Sequence, residues 1–267
     1  MNGSSLLVFT DLDGSLLDHH SYSWAPAAHW LEKLRRAQVP LIINSSKTRA
    51  EVSALSLELG ICDAPCIVEN GAAILLPPRW QQPGEGDMIT LGADIAHIRH
   101  ALAQLRDQGF SFEGFGDVSP QRVAEWTGLP LAQAQLAWQR EATEPLFWHE
   151  DEQRLDAFTQ ALAQHQLTTT RGGRFVHVMA AQADKGRALL WLKKRFAQLS
   201  GNECRCVALG DGANDIPMLN AAEMPVLIRN DASLVQLPAE LETRCYLTQQ
   251  AGPSGWNEGL DHWLGSA

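Results

Sequence analysis

No apolar run in the 267 residues approaches the roughly 20 that a helix needs to cross a bilayer, so no segment reads as a membrane span. Positive charge is also scarce: 21 Lys and Arg against 31 Asp and Glu leave a formal net charge of −10. Nucleic acids and anionic membrane surfaces need a basic footprint, so neither is expected as a partner. Residues 85–181 hold 7 arginines and 13 acidic residues but no lysine. No long block of one sign occurs, which excludes an interaction tail. The five cysteines (Cys62, Cys66, Cys204, Cys206, Cys245) are odd in number, and the opening residues lack the pattern of a secretory signal. Both absences predict a cytoplasmic, reducing location. The spacings C-x3-C and C-x-C are weak zinc signals, and free buried thiols fit them better.

What is present is an ordinary globular balance, 45% hydrophobic and 19% charged, on a chain long enough for one large domain or two moderate ones. From residue 5 to about 75, apolar runs (6–9, 40–44, 65–70) alternate with amphipathic helical stretches (27–38, 49–59). The rhythm resumes after Lys185, with helices at 188–199 and 216–222 and strands at 205–211 and 225–230. Continuous apolar runs separated by helices predict parallel strands covered on both faces, an α/β doubly wound core in two sequence halves. Between them the alternation fails. A turn-rich stretch, PPRWQQPGEGD (77–87), leads into helices and strands in no fixed order, which predicts an inserted α+β domain with its own sheet. The expected division is a core of residues 1–84 and 182–267 and an insert of 85–181.

The chemistry concentrates at strand ends. In TDLDGS, Asp11 and Asp13 follow the first apolar run, at the sheet edge where open α/β folds bind ligands. Their i, i+2 spacing along extended chain turns both carboxylates to one side. Two like charges at 4 Å cost about 4 kcal/mol at an effective dielectric near 20, which a bound dication or a shared proton would offset. Two turn aspartates capping a helix would also account for D-x-D-G. Asp18 falls outside that spacing and is expected to be a loop or capping residue. A second acidic pair, Asp211 and Asp215 in GDGANDIPML, again ends a strand. Together the pairs make an oxygen-rich site suited to Mg²⁺. In INSSKTRAE, Ser45 and Ser46 precede a helix whose N-terminus can cradle a phosphate, although Ser46 or Thr48 can equally be a cap. Lys185 opens a helix, where the dipole disfavours a cation, so it needs an anionic partner.

These four motifs, D-x-D-G-S, the strand-end serine, the helix-opening lysine and GD-x-x-ND, resemble in order those of the haloacid dehalogenase superfamily of phosphohydrolases. The resemblance implies an aspartyl-phosphate mechanism. Asp11 would be the nucleophile, and Asp13 the general acid and then base, its proton affinity raised by acidic neighbours. Ser45 and Lys185 would hold the phosphoryl oxygens. Mg²⁺ would bind Asp11, the Asp13 carbonyl and Asp211, with Asp215 helping.

Several stretches, NSSKTRAE, VENGAAI, EWTGLPLAQAQLAWQREATEP, GGRFVHVM with ADKG, and GPSGWNE, are similar to the mannosyl-3-phosphoglycerate phosphatases. That likeness implies a small phosphorylated sugar or glycerate as substrate and an insert that selects it. A substrate with both phosphate and carboxylate calls for arginine forks, and Arg140, Arg171 and Arg174 are the candidates, Arg174 first because two glycines free the backbone around it, while Arg122 could equally serve and a surface arginine would also explain Arg174. Asn70 and Gly71 are candidate core contacts, unless an Asn-Gly turn explains them. His177 fits a sheet position better than a ligand, and Trp126, Trp138 and Trp148 fit an apolar core better than a sugar platform. Two other activities share these residues: a hexose phosphomutase on the same core, and a phospho-acceptor signalling receiver, whose single small domain this chain exceeds.

Overall fold

The structure, a computed structural model, describes residues 5–172, 174–231 and 234–265. Twelve strands among these residues form two sheets. They are β1 (Ser5–Thr10), β2 (Leu41–Asn44), β3 (Cys66–Val68), β4 (Ala73–Leu75), β5 (Met88–Thr90), β6 (Phe112–Gly114), β7 (Thr143–Trp148), β8 (Leu167–Gly172), β9 (Phe175–Ala180), β10 (Cys204–Gly210), β11 (Met224–Arg229) and β12 (Tyr246–Ala251). The larger sheet runs β12-β11-β10-β1-β2-β3-β4-β5, parallel from β12 to β3 and antiparallel at its last two pairings. Alternate residues of its central strands enter two different cores, as a period of two requires. Val8, Ile43, Val207 and Leu209 pack with Trp30 and Leu34 of α1 (Ala28–Arg36), Val52 of α2 (Arg49–Leu59), and Trp256 and Leu260 of α10 (Gly252–Leu264). Leu7, Phe9, Ile42, Cys206 and Ala208 pack on the other face with Leu189 and Leu192 of α7 (Lys185–Ser200) and Met218 and Leu219 of α8 (Ile216–Ala221). Such double coverage explains why these strands are apolar throughout rather than alternating.

The smaller sheet, β6-β7-β9-β8, is antiparallel. Leu146, Val176 and Val178 face α3 (Ile95–Asp107) and α6 (Glu152–Ala163), while Phe147 and Phe175 face α4 (Pro120–Thr127) and α5 (Leu131–Trp138). The three cap tryptophans belong to this packing. Trp126 lies 5.4 Å from Phe147, Trp148 lies 5.0 Å from Phe158, and the Trp138 Nε1–H donates to the Val118 carbonyl. His177 lies on β9, opposite Pro145 and Thr170.

One boundary differs from expectation. Met88–Thr90, assigned to the insert by its position after the turn-rich stretch, is the antiparallel edge of the larger sheet, paired with β4. Three residues are too short to carry a period, and only the pairing reveals them as a strand. The turn before it is fastened to α7: Arg195 donates to the Trp80 carbonyl at 2.8 Å and to both Glu85 oxygens at 2.6 and 2.8 Å. The Arg195 guanidinium, aided by the Gln82 amide, holds the Glu85 carboxyl down at about 2. A carboxylate depressed in the fold contributes stability that is present above its ordinary value and lost as the pH falls toward about 2. The thermal midpoint of Arg195→Met is therefore expected to lie below wild type at pH 6. The gap between the two should close in melts taken progressively from pH 4.5 to 2.5.

Cys66, Cys206 and Cys245 are buried, and all five cysteines are free thiols. No helix among the described residues is long and apolar enough to cross a membrane.

Candidate active site

The site lies where β1 and β10 end side by side. The Asp11 N–H donates to the Leu209 carbonyl at 2.9 Å, so Asp11 and Asp211 leave neighbouring strands at the same edge. Thr10 steadies Asp11 from behind. Its hydroxyl donates to the Asp11 carbonyl at 2.6 Å and accepts from Trp256 Nε1 at 2.9 Å. Gly14 then turns with φ +81°, and a Cβ there would stand 2.4 Å from Asp211 Oδ2. A glycine is needed for both reasons.

Lys185, 1% exposed, is the first residue of α7, whose N-cap is Asp184. Its Nζ donates to Asp11 Oδ1 and Asp215 Oδ1, each at 2.6 Å. Asp215 Oδ2 accepts the amides of Asp211 and Gly212 at 3.1 and 3.0 Å. Asp211 accepts from Asn230 Nδ2 at 2.7 Å and from the Ser15 hydroxyl at 3.4 Å. The carboxylates of Asp11, Asp211 and Asp215 thus form one buried group in which one oxygen of each lies within 4.8 Å of the others. No other group of three or more His, Cys, Asp and Glu among the described residues brings its ligand atoms this close.

The electrostatics follow from this crowding. Burial pushes the Asp11 carboxyl well above its ordinary value, with Asp215 and Asp211 adding to the rise and Lys185 opposing it. Burial and Asp215 push Asp211 up to about 6. Burial disfavours the Lys185 ammonium, but Asp11 and Asp215 outweigh it and raise its pKa above the ordinary value. One cation for three carboxylates leaves negative charge uncompensated. A purely oxygen donor set with that excess fits a hard dication such as Mg²⁺. Asp215 has both oxygens engaged, by Lys185 and by two amides, whereas Asp211 Oδ1 accepts only the long 3.4 Å bond from Ser15, so Asp11 and Asp211 are the better placed to be direct ligands.

Asp13 stands apart from this group. Its Oδ2 pairs with Lys47 Nζ at 2.8 Å, while its buried Oδ1 has no hydrogen-bond partner among the described residues. The neighbour expected for Asp13 was acidic; the one found is a cation. β1 ends at Thr10, so the i, i+2 alternation of an extended strand does not carry through to Asp13. Ser45 is buried just beyond β2, its N–H donating to the Ile67 carbonyl at 3.0 Å. Thr48, not Ser46, caps α2, in a capping box with Glu51. Asp18 Oδ1 accepts from the Ser21 hydroxyl and the His20 and Ser21 amides, and these bonds lower its pKa. It is a loop residue.

The remaining candidates have structural partners. Asn70 is in the left-handed region (φ 59°), and its Oδ1 accepts from Asn214 Nδ2 at 3.2 Å. Gly71 (φ +90°) passes so close to α7 that a Cβ would lie 2.2 Å from the Asp184 carbonyl oxygen. Arg140 was expected as an open fork for substrate. It is instead buried where the insert meets the core, donating to the Ser46 and Ala137 carbonyls at 2.9 and 3.0 Å. Arg174 is exposed and donates to the Trp126 carbonyl at 2.8 Å. Three residues with a place at the site were not expected from sequence: Lys47, Asn230, and Asn44, whose Nδ2 donates to the Lys185 carbonyl at 3.0 Å. Of these, Lys47 carried the only signal, a cation inside the serine motif.

A family model described as haloacid dehalogenase-like hydrolase matches residues 8–116 and 132–246. Among similar solved structures is a phosphatase of the haloalkanoate enzyme superfamily from Bacteroides thetaiotaomicron, at TM-score 0.69 and 19% identity over 98% of this chain and 97% of that one. A Thermoplasma acidophilum protein matches at 0.68 and 17%, over 96% and 97% of the two chains. The sucrose-phosphatase of a Synechocystis species, solved with sucrose and phosphate, matches at 0.65 and 16%, over 98% of each. At these identities the likeness shows a shared fold.

Proposed function

The chain belongs to the haloacid dehalogenase-like hydrolases, and we propose that it is a Mg²⁺-dependent phosphomonoesterase acting on mannosyl-3-phosphoglycerate or a related sugar phosphate. The observation that carries this is the Lys185 ammonium bridging Asp11 and Asp215 beside Asp211. It supports the reading because the Asp11 carboxylate, the nucleophile in this proposal, lies next to a fixed cation at the strand ends. The substrate class draws support from the fold shared with the sucrose-phosphatase and with a subclass IIB sugar phosphatase, and from the similarity of VENGAAI, GGRFVHVM and GPSGWNE noted above.

In the first displacement an Asp11 oxygen attacks phosphorus, the ester P–O bond breaks, and the departing alkoxide takes a proton from Asp13. In the second, water attacks the aspartyl phosphate, Asp13 takes the proton, and inorganic phosphate leaves with Asp11 restored. Dividing the reaction in this way is the usual gain of covalent catalysis. Lys47 fixes Asp13 Oδ2, which leaves the unpartnered Oδ1 to carry the proton. Lys185 and Ser45 hold charge on the phosphoryl oxygens. Asp11, Asp211 and the Asp13 carbonyl would hold Mg²⁺, supported by Asp215, and the ion would neutralise the phosphoryl group as the carboxylate approaches. The insert, residues 85–181 apart from the β5 edge, would select the leaving group, with Arg174 the cation available to its carboxylate. Free thiols at all five cysteines favour a reducing cytoplasm.

The test is phosphate release from a panel of sugar and glycerate phosphates, mannosyl-3-phosphoglycerate included, with and without Mg²⁺. Release is expected from at least one sugar phosphate and only with the metal. No release from any member, or isomerised hexose phosphate without free phosphate, would overturn the proposal.

A further inference from the structure

We infer that Glu69 is a positioning residue: its carboxylate holds the insert at a fixed place over the catalytic groups, and so governs substrates that reach the insert. The activity arm of this inference rests on the phosphatase reading above.

Glu69 lies between β3 and β4 and is fully buried. Its φ of 52° and the 59° of Asn70 put two successive non-glycine residues in the left-handed region. Each such residue costs on the order of 1–3 kcal/mol, so surrounding contacts must hold the turn. They are on two sides. The side chain turns toward the insert. Its Oε1 accepts the Glu141 N–H at 2.8 Å, and its Oε2 accepts the Ala142 N–H at 3.2 Å and the Thr143 hydroxyl at 2.6 Å, with Arg140 Nη1 at 4.0 Å. These are the residues by which the chain passes from α5 into β7. All four groups are donors, and only an acceptor at both oxygens satisfies them. A glutamine would turn an NH₂ toward N–H or O–H.

The main chain of the same turn faces the catalytic groups. The Glu69 N–H donates to the Lys47 carbonyl at 2.9 Å and the Asn70 N–H to the Ser45 carbonyl at 3.0 Å. Asn70 meets Asn214 in the loop that carries Asp215, and Gly71 packs on the peptide that begins α7 at Lys185. Three consecutive residues therefore touch the insert, the serine motif, the lysine helix and the second acidic motif. Removing the Glu69 carboxylate takes three bonds from this seam and loosens the insert, which keeps its bonds from Arg140 to Ser46 and from Thr48 to Leu136, while the backbone contacts to Ser45 and Lys185 persist. The predicted signature is selective: a substrate whose leaving group touches the insert suffers, and a small ester does not.

The full-length chain would be compared with Glu69→Gln, Thr143→Val and the double variant, by amide hydrogen exchange and by kcat and KM on the accepted sugar phosphate and on p-nitrophenyl phosphate. Glu69→Gln is expected to speed exchange at Glu141 and Ala142 at least about tenfold, and to lower kcat/KM for the sugar phosphate about tenfold through KM. Turnover of p-nitrophenyl phosphate should move less than about threefold. Thr143→Val should shift the same ratio in the same direction, and the double variant should be no worse than Glu69→Gln, because one interaction is being removed twice. Unchanged exchange, or an equal fall on both substrates, would overturn the inference. If Glu69→Gln does not fold, the ratio in Thr143→Val decides. A wild-type protein that cleaves no ester would sink the phosphatase reading, and the exchange arm would still decide this one.

Discussion

Asp11→Asn is expected to lower phosphate release by at least about 10⁴-fold while leaving the fold intact. Asparagine has the same shape but cannot become the covalent carrier, and Thr10, Trp256 and the Leu209 carbonyl keep the strand end in place without touching the carboxylate. The stability effect has the opposite sign. A carboxyl raised in the fold contributes stability that is present below its ordinary value of about 3.9 and lost as the pH rises through the raised value. Stability is therefore being lost at any pH above the ordinary value, so in chelator at neutral pH Asp11 is a net burden even with Lys185 beside it, and its neutral replacement should melt no lower than wild type. The two readouts together separate a nucleophile from a structural residue. An inactive variant that also melts lower would mean that Asp11 holds the fold, and turnover persisting in the variant would remove the nucleophile assignment.

The parts of this site legible in the sequence are those where a residue type contradicts its local setting. Lys185 at a helix start and Asp11 and Asp211 after buried strands violate local preference, and each is explained by the others, with 174 residues of chain separating Asp11 from Lys185. The parallel strands were legible for a related reason: coverage on both faces demands apolar runs, as in Leu41, Ile42 and Ile43 of β2 and Cys206, Val207, Ala208 and Leu209 of β10. What escaped was whatever depends on pairing alone. β5 is three residues of ordinary composition whose assignment comes from its neighbour Ala73–Leu75. Lys47 looks like a solvated cation in a helix-capping loop, and only the return of the Asp13 loop gives it a partner. Arg140 gave no sign of its local partners, because a buried arginine and a substrate fork have the same sequence signature. Its Nη1 and Nε donate to the carbonyls of Ser46 and Ala137. Glu69 ends an apolar run and reads as the last residue of a strand, whereas its left-handed backbone sends the side chain into the insert.

Lys185→Met carries the second large effect, and its pH dependence identifies the cause. The methionine fills the same buried space, but three carboxylates lose their one bound cation, and breaking a buried ion network by removing one partner costs about 3–5 kcal/mol. In chelator at pH 7.5 the variant should melt well below wild type. Acidification should narrow the gap. Asp11 is already raised and Asp211 stands at about 6 with the lysine present; without it both rise further, so protonation removes the repulsion as the pH falls toward 4.5. Millimolar Mg²⁺ should restore part of the lost midpoint at pH 7.5, because the dication supplies the missing charge to the same oxygens. It should not restore turnover, which is expected to stay about 10²- to 10³-fold down for want of the Nζ contact to the transferring phosphoryl group. A variant equally destabilised at pH 4.5 and 7.5 would show that Lys185 acts through packing, and full rescue of activity by Mg²⁺ would show that its charge is needed for assembly of the site alone.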